Sequence, residues 1–307
     1  MDKTNVIKIA KGMLRFLIGA MFMTTAVLKL LSLDEFELYI YSFGIFSYLA
    51  VTVLARLLIA FELLVGLFLL LKQFYKQVWW LILLSLIGFT FFLIYVALFR
   101  NDANCHCFGD FVELNPLHSI VKNLITMALM LCIRKESDYR FRFRKWVIGV
   151  GFAVAMILPF VVFPMDALYN KFSSPNDPIN VSAFEKLQQD TTLTDFNIEE
   201  GNYLVAFYIS KCKFCKLSMK KVNTIVEKHH LDINRIKILI SGSEETIEEF
   251  RKDAVIFDYQ MVNISIYQSI DITAGSFPTF VYFQNGKVVK TISLREISEN
   301  ELVNFLK

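Results

Sequence analysis

Two cysteine pairs carry the chemistry that this sequence can perform. Cys105-His106-Cys107 lies in a short polar stretch between apolar runs, and Cys212-Lys213-Phe214-Cys215 follows an apolar run in the second half of the chain. Thiols this close alternate between dithiol and disulfide, and two such pairs in one compartment can pass electrons to each other. Metal binding is the competing use. It would draw on Cys105 and Cys107 with His106 and His118, but so tight a run is poor geometry for tetrahedral ligation. No further ligands stand near Cys212 and Cys215, so no metal is expected. A purely structural Cys212–Cys215 disulfide would close too short a loop to contribute much chain-entropy stabilisation. Cys132, the remaining cysteine, is expected to be an inert buried thiol.

The elements that hold these pairs are of two kinds. The chain has 307 residues, of which 55% are hydrophobic and 30 are phenylalanine, with the apolar excess before about residue 165. A net charge of +3 and the absence of a recognisable motif argue against a nucleic-acid partner. Five apolar stretches are long enough, or nearly so, to cross a hydrocarbon layer of roughly 30 Å as helices. They run from Met13 to Leu31, Tyr48 to Leu71, Val78 to Phe99, Leu117 to Ile133 and Trp146 to Phe163. The first is expected to be a retained helix, because four more follow and no small-residue cleavage pattern is seen.

Basic residues set the orientation. Lys3, Lys8, Lys11 and Arg15 precede the first span. Lys72 and Lys76 follow the second, and Arg134, Lys135, Arg140, Arg142, Arg144 and Lys145 follow the fourth. The alternate loops carry Asp34, Glu35 and Glu37, then Asp102, Asp110 and Glu113. The N-terminus is therefore expected in the cytoplasm of a bacterium, and Cys105 and Cys107 outside it. Five crossings put everything after Phe163 outside as well. The expected organisation is a membrane domain at 1–165, a linker at 166–181 and a soluble domain at 182–307. A flexible linker of this length reaches about 20 Å and gives the tethered domain an effective concentration on the order of millimolar.

In the soluble half, Asn202 to Ile209 reads as a buried strand, and Phe214, Leu217, Met219, Val222, Ile225 and Val226 follow at helical spacing. Cys212 therefore stands at a helix N-terminus, where the partial positive charge favours a thiolate, and Lys211, Lys213 and Lys216 are expected to add to it. His229 and His230 fall at the far end of this helix, a favourable place for cations. A second strand is expected at Ile236 to Ile240 and a helix from Glu244 to Asp253 capped by Ser243. Near the C-terminus, Phe280 to Phe283 and Val288 to Ile292 flank Asn285-Gly286, a hairpin signal, and a helix from Ser298 to Leu306 closes the chain.

This order, with Cys-X-X-Cys after the first core strand and Pro278 before the hairpin, resembles the thioredoxin fold over residues 183 to 307. The resemblance implies that Cys212 is the exposed nucleophile, Cys215 the resolving thiol and Pro278 a cis proline beside them. Lys211 replaces the usual aromatic, Lys-Phe replaces Gly-Pro, and Ala206 stands where many thioredoxins keep a buried acid.

Four charges lie within the apolar spans: Lys29, Arg56, Glu62 and Lys122. Lys29 and Lys122 are near the outer ends of their spans and are expected to snorkel. Arg56 and Glu62 are separated by about 9 Å of helix rise and about 240° of rotation, so they cannot pair within one straight helix. Each needs a partner on another span, unless Glu62 is protonated. Ala26-Val-Leu-Lys29-Leu30, Phe36 and Tyr41 in the following loop, and Glu62-Leu-Leu-Val-Gly66 resemble the DoxX-like membrane proteins. Cys105-His-Cys107-Phe108-Gly109 with Val121-Lys122-Asn123 resembles the methylamine-utilisation branch, MauE, over residues 10 to 133. The resemblance implies a four-helix membrane bundle that works with a thioredoxin-like partner, here fused after a fifth span.

The expected function is a membrane-bound thiol:disulfide oxidoreductase of the bacterial inner membrane. Cys212 and Cys215 would oxidise exported protein thiols and be reoxidised by Cys105–Cys107, whose small, strained ring makes a good oxidant. The soluble domain needs no cofactor. By analogy with vitamin K epoxide reductase-like enzymes, the terminal acceptor is expected to be a quinone in the aromatic-rich bundle, with Glu62, Arg56, Lys29 and Lys122 as candidate site residues. Export of reducing equivalents, a non-catalytic assembly factor, and a solute transporter built on Glu62 and Arg56 are the alternatives.

Overall fold

The computed structural model describes residues 3–100, 105, 107–110, 114–134, 138–139, 142–163, 179–188 and 196–307, without the side chains of residues 3, 4, 107 and 110. The chain divides into two compact units, Met1–Ile40 with Ala50–Pro164 and Tyr41–Leu49 with Met165–Lys307.

The first unit is helical. Its elements are α1 (Lys3–Leu31), α2 (Leu33–Tyr41), α3 (Tyr48–Leu71), α4 (Tyr75–Phe99), the short strand β1 (Cys107–Asp110), α5 (Pro116–Cys132) and α6 (Arg144–Val162). Helices α1, α3, α4 and α6 are long and apolar enough to cross a membrane, whereas α5 is a shorter apolar helix. Only 11% of the apolar window of α6 is buried, so this helix turns most of its surface outward, as a lipid-facing span does.

Helices α1 and α3 cross at two glycines. A Cβ on Gly66 would lie 3.0 Å from the Gly19 carbonyl oxygen and 3.1 Å from the Met23 amide, so only glycine permits this approach. Small residues at a crossing are the usual route to close packing between membrane helices. The crossing lays the C-terminal half of α1 against α3. Helix α5 starts with Asn115 accepting a hydrogen bond from the Leu117 amide and with Pro116 in its first turn. It is tied to α4 by Trp79 Nε1 donating to the Met130 carbonyl at 2.8 Å and by Tyr75 Oη donating to the Ile133 carbonyl at 2.6 Å.

The stretch holding Phe36 and Tyr41 is not the expected loop but helix α2. Asp34 and Glu35 occupy its first turn, where carboxylates favour a helix, while Leu33, Phe36 and Tyr41 are buried.

The second unit contains α7 (Val181–Gln188), β2 (Asn202–Ile209), α8 (Lys213–His229), β3 (Ile236–Ser241), α9 (Glu244–Ala254), β4 (Gln260–Asn263), α10 (Ile266–Thr273), β5 (Thr279–Gln284), β6 (Lys287–Ser293) and α11 (Glu299–Leu306). The sheet order is β4-β3-β2-β5-β6. Strands β2, β3 and β4 are parallel; β5 runs antiparallel to β2 and turns back as a hairpin into β6. Asn285 and Gly286 both take positive φ in that turn, as the hairpin signal requires. This arrangement, with a helix directly after the central strand, is the thioredoxin-like fold.

Central strand β2 is apolar along most of its length because both faces are covered. Val205 and Phe207 join Phe184, Leu239, Val281 and Phe283 in one cluster, and Tyr208 on the other face meets Phe250 and Phe280. Ile179, just before α7, belongs to the same cluster as Val205.

Candidate functional site

The end of β2 builds the first thiol pair. After Ile209 the chain turns tightly, with the Cys212 amide donating to the Ile209 carbonyl at 3.0 Å. Cys212 then caps α8: its carbonyl accepts from the Lys216 amide at 3.1 Å and its Sγ accepts from the Cys215 amide at 3.3 Å. One helical turn thus separates a half-buried sulfur from a fully buried one. Pro278 immediately precedes β5, and Thr279 pairs with Phe207 across the sheet, so Pro278 lies at the same end of the sheet as the cysteines. The Phe277–Pro278 peptide is cis.

The two sulfurs differ in acidity. The hydrogen bond from the Cys215 thiol pulls Cys212 down to about 6, working against burial, and the backbone N–H groups of Cys215 and Phe214 assist. Burial pushes Cys215 far above the ordinary thiol range, and its hydrogen bond to Cys212 adds to that. The expected help from the lysines takes a different form for Lys216. Its Nζ is held by Glu249 at 3.1 Å and Asp253 at 2.8 Å, so its charge is already partnered. Ala206 is buried and stands between Ile238 and Phe280 in the register, a position with no ionisable side chain. Ser218, which sequence reasoning passed over, is fully buried and donates to the Cys215 carbonyl at 2.9 Å. His229 ends α8 and bonds Glu299 through Nε2 at 2.7 Å.

The second pair lies in the segment between α4 and α5 of the helical unit. Cys105 is a buried free thiol whose amide donates to the Leu114 carbonyl at 3.0 Å. Its Sγ lies 2.9 Å from Ser119 Oγ on α5. His106 and the side chain of Cys107 lie outside the described residues. Gly109 has φ +66°, and a Cβ there would collide with Ser32 Oγ and stand 2.8 Å from the Leu28 carbonyl. The glycine of the Cys-X-Cys-Phe-Gly motif therefore lets β1 press on the end of α1. Lys122 Nζ stands 4.8 Å from the centre of the Phe108 ring.

Lys29 does not snorkel. It is buried against Glu62, and Thr25 Oγ1 donates to the other oxygen of that carboxylate at 3.3 Å. The Phe36 and Phe89 rings lie 5.3 and 5.8 Å from its ammonium. Arg56 pairs with Glu37 of α2 and also donates to the carbonyls of Thr52 and Phe163, each at 2.8 Å. Each deep charge thus finds an opposite charge on another helix. In the sequence Glu37 stands only as a loop acid, and its pairing with Arg56 depends on a contact that sequence spacing does not reveal.

Cys132 is not buried. Its thiol donates to the Ala128 carbonyl at 3.6 Å on an exposed face that also carries Leu131. In a membrane span an apolar residue can face outward at no cost, which reverses the rule for soluble cores. Among the described residues, no group of three or more His, Cys, Asp or Glu side chains is placed to hold a metal ion.

Residues 6–134 match the family model of the methylamine utilisation protein MauE. A curated relative, Protein TlpB of Flavobacterium psychrophilum, is 21% identical over 332 aligned positions, covering 90% of this chain and 89% of its own length. Two solved structures align with about a third of the chain. StoA from Bacillus subtilis is 16% identical, with a TM-score of 0.29, over 36% of this chain and 87% of its own. A secreted Mycobacterium tuberculosis disulfide oxidoreductase homologous to E. coli DsbE is 13% identical, with a TM-score of 0.27, over 34% and 80%. The helical half is thus similar to MauE over residues 6–134, while the sheet half has the strand order of a thioredoxin-like fold.

Proposed function

We propose that this chain is a membrane-bound thiol:disulfide oxidoreductase in which the Cys212–Cys215 pair exchanges with the Cys105–Cys107 pair. The observation that carries the reading is the division of labour at the start of α8: a half-buried sulfur with its pKa near 6 beside a buried one pushed far up. The first is thiolate at neutral pH and serves as nucleophile or leaving group. The second keeps its proton until it resolves a mixed disulfide.

A low pKa at Cys212 stabilises the reduced pair, so its disulfide is readily given up, which favours the oxidative direction. A thiolate of an exported protein attacks Cys212 Sγ, and Cys215 leaves. A second substrate thiol then attacks the mixed disulfide, and Cys212 leaves as thiolate. Reoxidation passes two electrons to Cys105–Cys107, and a quinone bound in the membrane domain would supply the acceptor for two electrons and two protons. Lys29 and Arg56, each buried against a carboxylate, and Lys122 over Phe108 are donors that would orient its carbonyl oxygens.

The basic loops support a cytoplasmic N-terminus in a bacterial inner membrane, with both thiol pairs on the opposite side. Residues 1–165 would then form the membrane domain, 166–181 the linker and 182–307 the soluble domain.

Alkylation of intact cells, with and without quinone depletion, tests the reading. Depletion is expected to accumulate the Cys105/Cys107 dithiol first and the Cys212/Cys215 dithiol after it. If Cys107→Ala leaves Cys212 and Cys215 as oxidised as in the parent, the relay is wrong.

A further inference from the structure

The Cys-X-Cys motif offers two sulfurs to an incoming thiolate, and the structure restrains one of them. Cys105 is 3% exposed, its amide is committed to Leu114, and its sulfur touches Ser119 Oγ at 2.9 Å. Ser119 is itself fully buried. Several hydroxyls in these helices bond only back to their own helix, Ser85 to the Ile82 carbonyl and Thr126 to Lys122. Ser119 instead turns its hydroxyl to a sulfur contributed by another segment.

Thiol–disulfide exchange needs in-line approach to the attacked sulfur, and it runs faster when the departing sulfur is a stabilised anion. A buried sulfur is hard to approach, but one facing a hydroxyl donor departs well. We propose, building on the relay above, that Ser119 is a positioning residue that makes Cys105 the departing thiolate, so that Cys212 exchanges at Cys107 alone. The Cys212 thiolate forms a bond to Cys107 Sγ as the Cys105–Cys107 bond breaks, and Ser119 donates its O–H to the Cys105 thiolate. Cys215 then loses its proton and attacks Cys212 Sγ, releasing Cys107. Two electrons have moved to the membrane pair. The proton from Cys215 and one from solvent end on Cys105 and Cys107. Because the reverse reaction passes through the same mixed disulfide, the assignment holds for either direction of flow.

The test uses the full-length chain in native membranes with Cys215→Ala, which halts resolution, and peptide mapping of the mixed disulfide by mass spectrometry. The Cys212–Cys107 linkage is expected to exceed Cys212–Cys105 by about tenfold. Ser119→Ala is expected to slow its formation roughly tenfold, the effect of losing one hydrogen bond to a charged group, and Ser119→Thr to restore it. A merely structural serine would leave the ratio of the two linkages unchanged. Equal or greater Cys212–Cys105 linkage overturns the assignment while leaving the relay standing, as does a Ser119→Ala rate and ratio equal to the parent's. No mixed disulfide at either sulfur in the Cys215→Ala protein, with both pairs of the parent protein oxidised, overturns the relay and this assignment together.

Discussion

The acidity of Cys212 gives the sharpest quantitative test of the site. With its pKa pulled down to about 6, roughly nine-tenths of Cys212 is thiolate at pH 7 and roughly one-tenth at pH 5. Alkylation of Cys212 by iodoacetamide should therefore rise about tenfold from pH 5 to pH 7 and flatten above, whereas an ordinary thiol would rise about a hundredfold and keep rising to about pH 8.5. The intrinsic nucleophilicity of a thiolate falls with its pKa, which offsets most of the gain at pH 7 and leaves an advantage of only about two- to threefold there. At pH 5 the advantage is about twentyfold, so the acid limb is where the measurement decides. The reduced full-length protein would be alkylated at a series of pH values and the peptide holding Cys212 quantified by mass spectrometry. Because the Cys215 thiol is the largest cause of the shift, Cys215→Ala should move the midpoint upward. The amides of residues 214 and 215 remain, so it should stay below the ordinary thiol range. A hundredfold rise between pH 5 and pH 7, or a midpoint indifferent to Cys215→Ala, would refute the assignment of Cys212 as a stabilised thiolate.

Three further outcomes follow from contacts around the two sites. Lys216→Met should leave the Cys212 midpoint near that of the parent in the same alkylation series, because Glu249 and Asp253 already neutralise Lys216; a clear upward shift would restore the lysine to the thiolate's environment. Glu62→Gln leaves Lys29 charged and buried, and should cost about 3 kcal/mol in detergent unfolding experiments, while Lys29→Met added to Glu62→Leu should recover much of it. Equal melting of Glu62→Gln and parent would show that the pair is not desolvated. Gly109→Ala forces a Cβ onto the Leu28 carbonyl at positive φ and should destabilise the membrane unit by about 1–3 kcal/mol and abolish trapping at the membrane pair; unchanged trapping would mean that β1 does not need its seat on α1.

The sequence made some of this architecture plain and hid the rest for physical reasons. Strand β2 was readable to its ends because an aromatic and β-branched run is bracketed by Gly201 and Ser210, and the hairpin because Asn285-Gly286 leaves few other conformations. The placement of Cys212 at the head of α8 followed from the change of period at residue 210. Strand β4 is only four residues long and half-buried at the sheet edge, so it has almost no alternation to read. Helices α2, α7 and α10 have eight or nine residues, about two turns, too few for a periodic signal. The sequence required partners for Arg56 and Glu62 on other segments. Which residues meet depends on the Gly19–Gly66 crossing and on the unforeseen helix α2. Ser119 was silent for a similar reason, since one hydroxyl in an apolar helix is unremarkable until a sulfur faces it.

The direction of flow through such a relay depends on which dithiol is better held. At Cys212 the thiolate is stabilised by the Cys215 thiol and two backbone amides, which favours electrons resting on the soluble pair. Two things counter this in the proposed cycle. The Cys-X-Cys disulfide closes a smaller ring than the Cys-X-X-Cys disulfide, and relief of its strain on reduction favours the membrane dithiol. The terminal acceptor then drains the membrane pair, so the transfer needs only an equilibrium constant near unity. In the proposed cycle the low pKa of Cys212 would therefore serve the step toward substrate and the small ring the step into the membrane, and continuous oxidation of exported thiols would need both pairs.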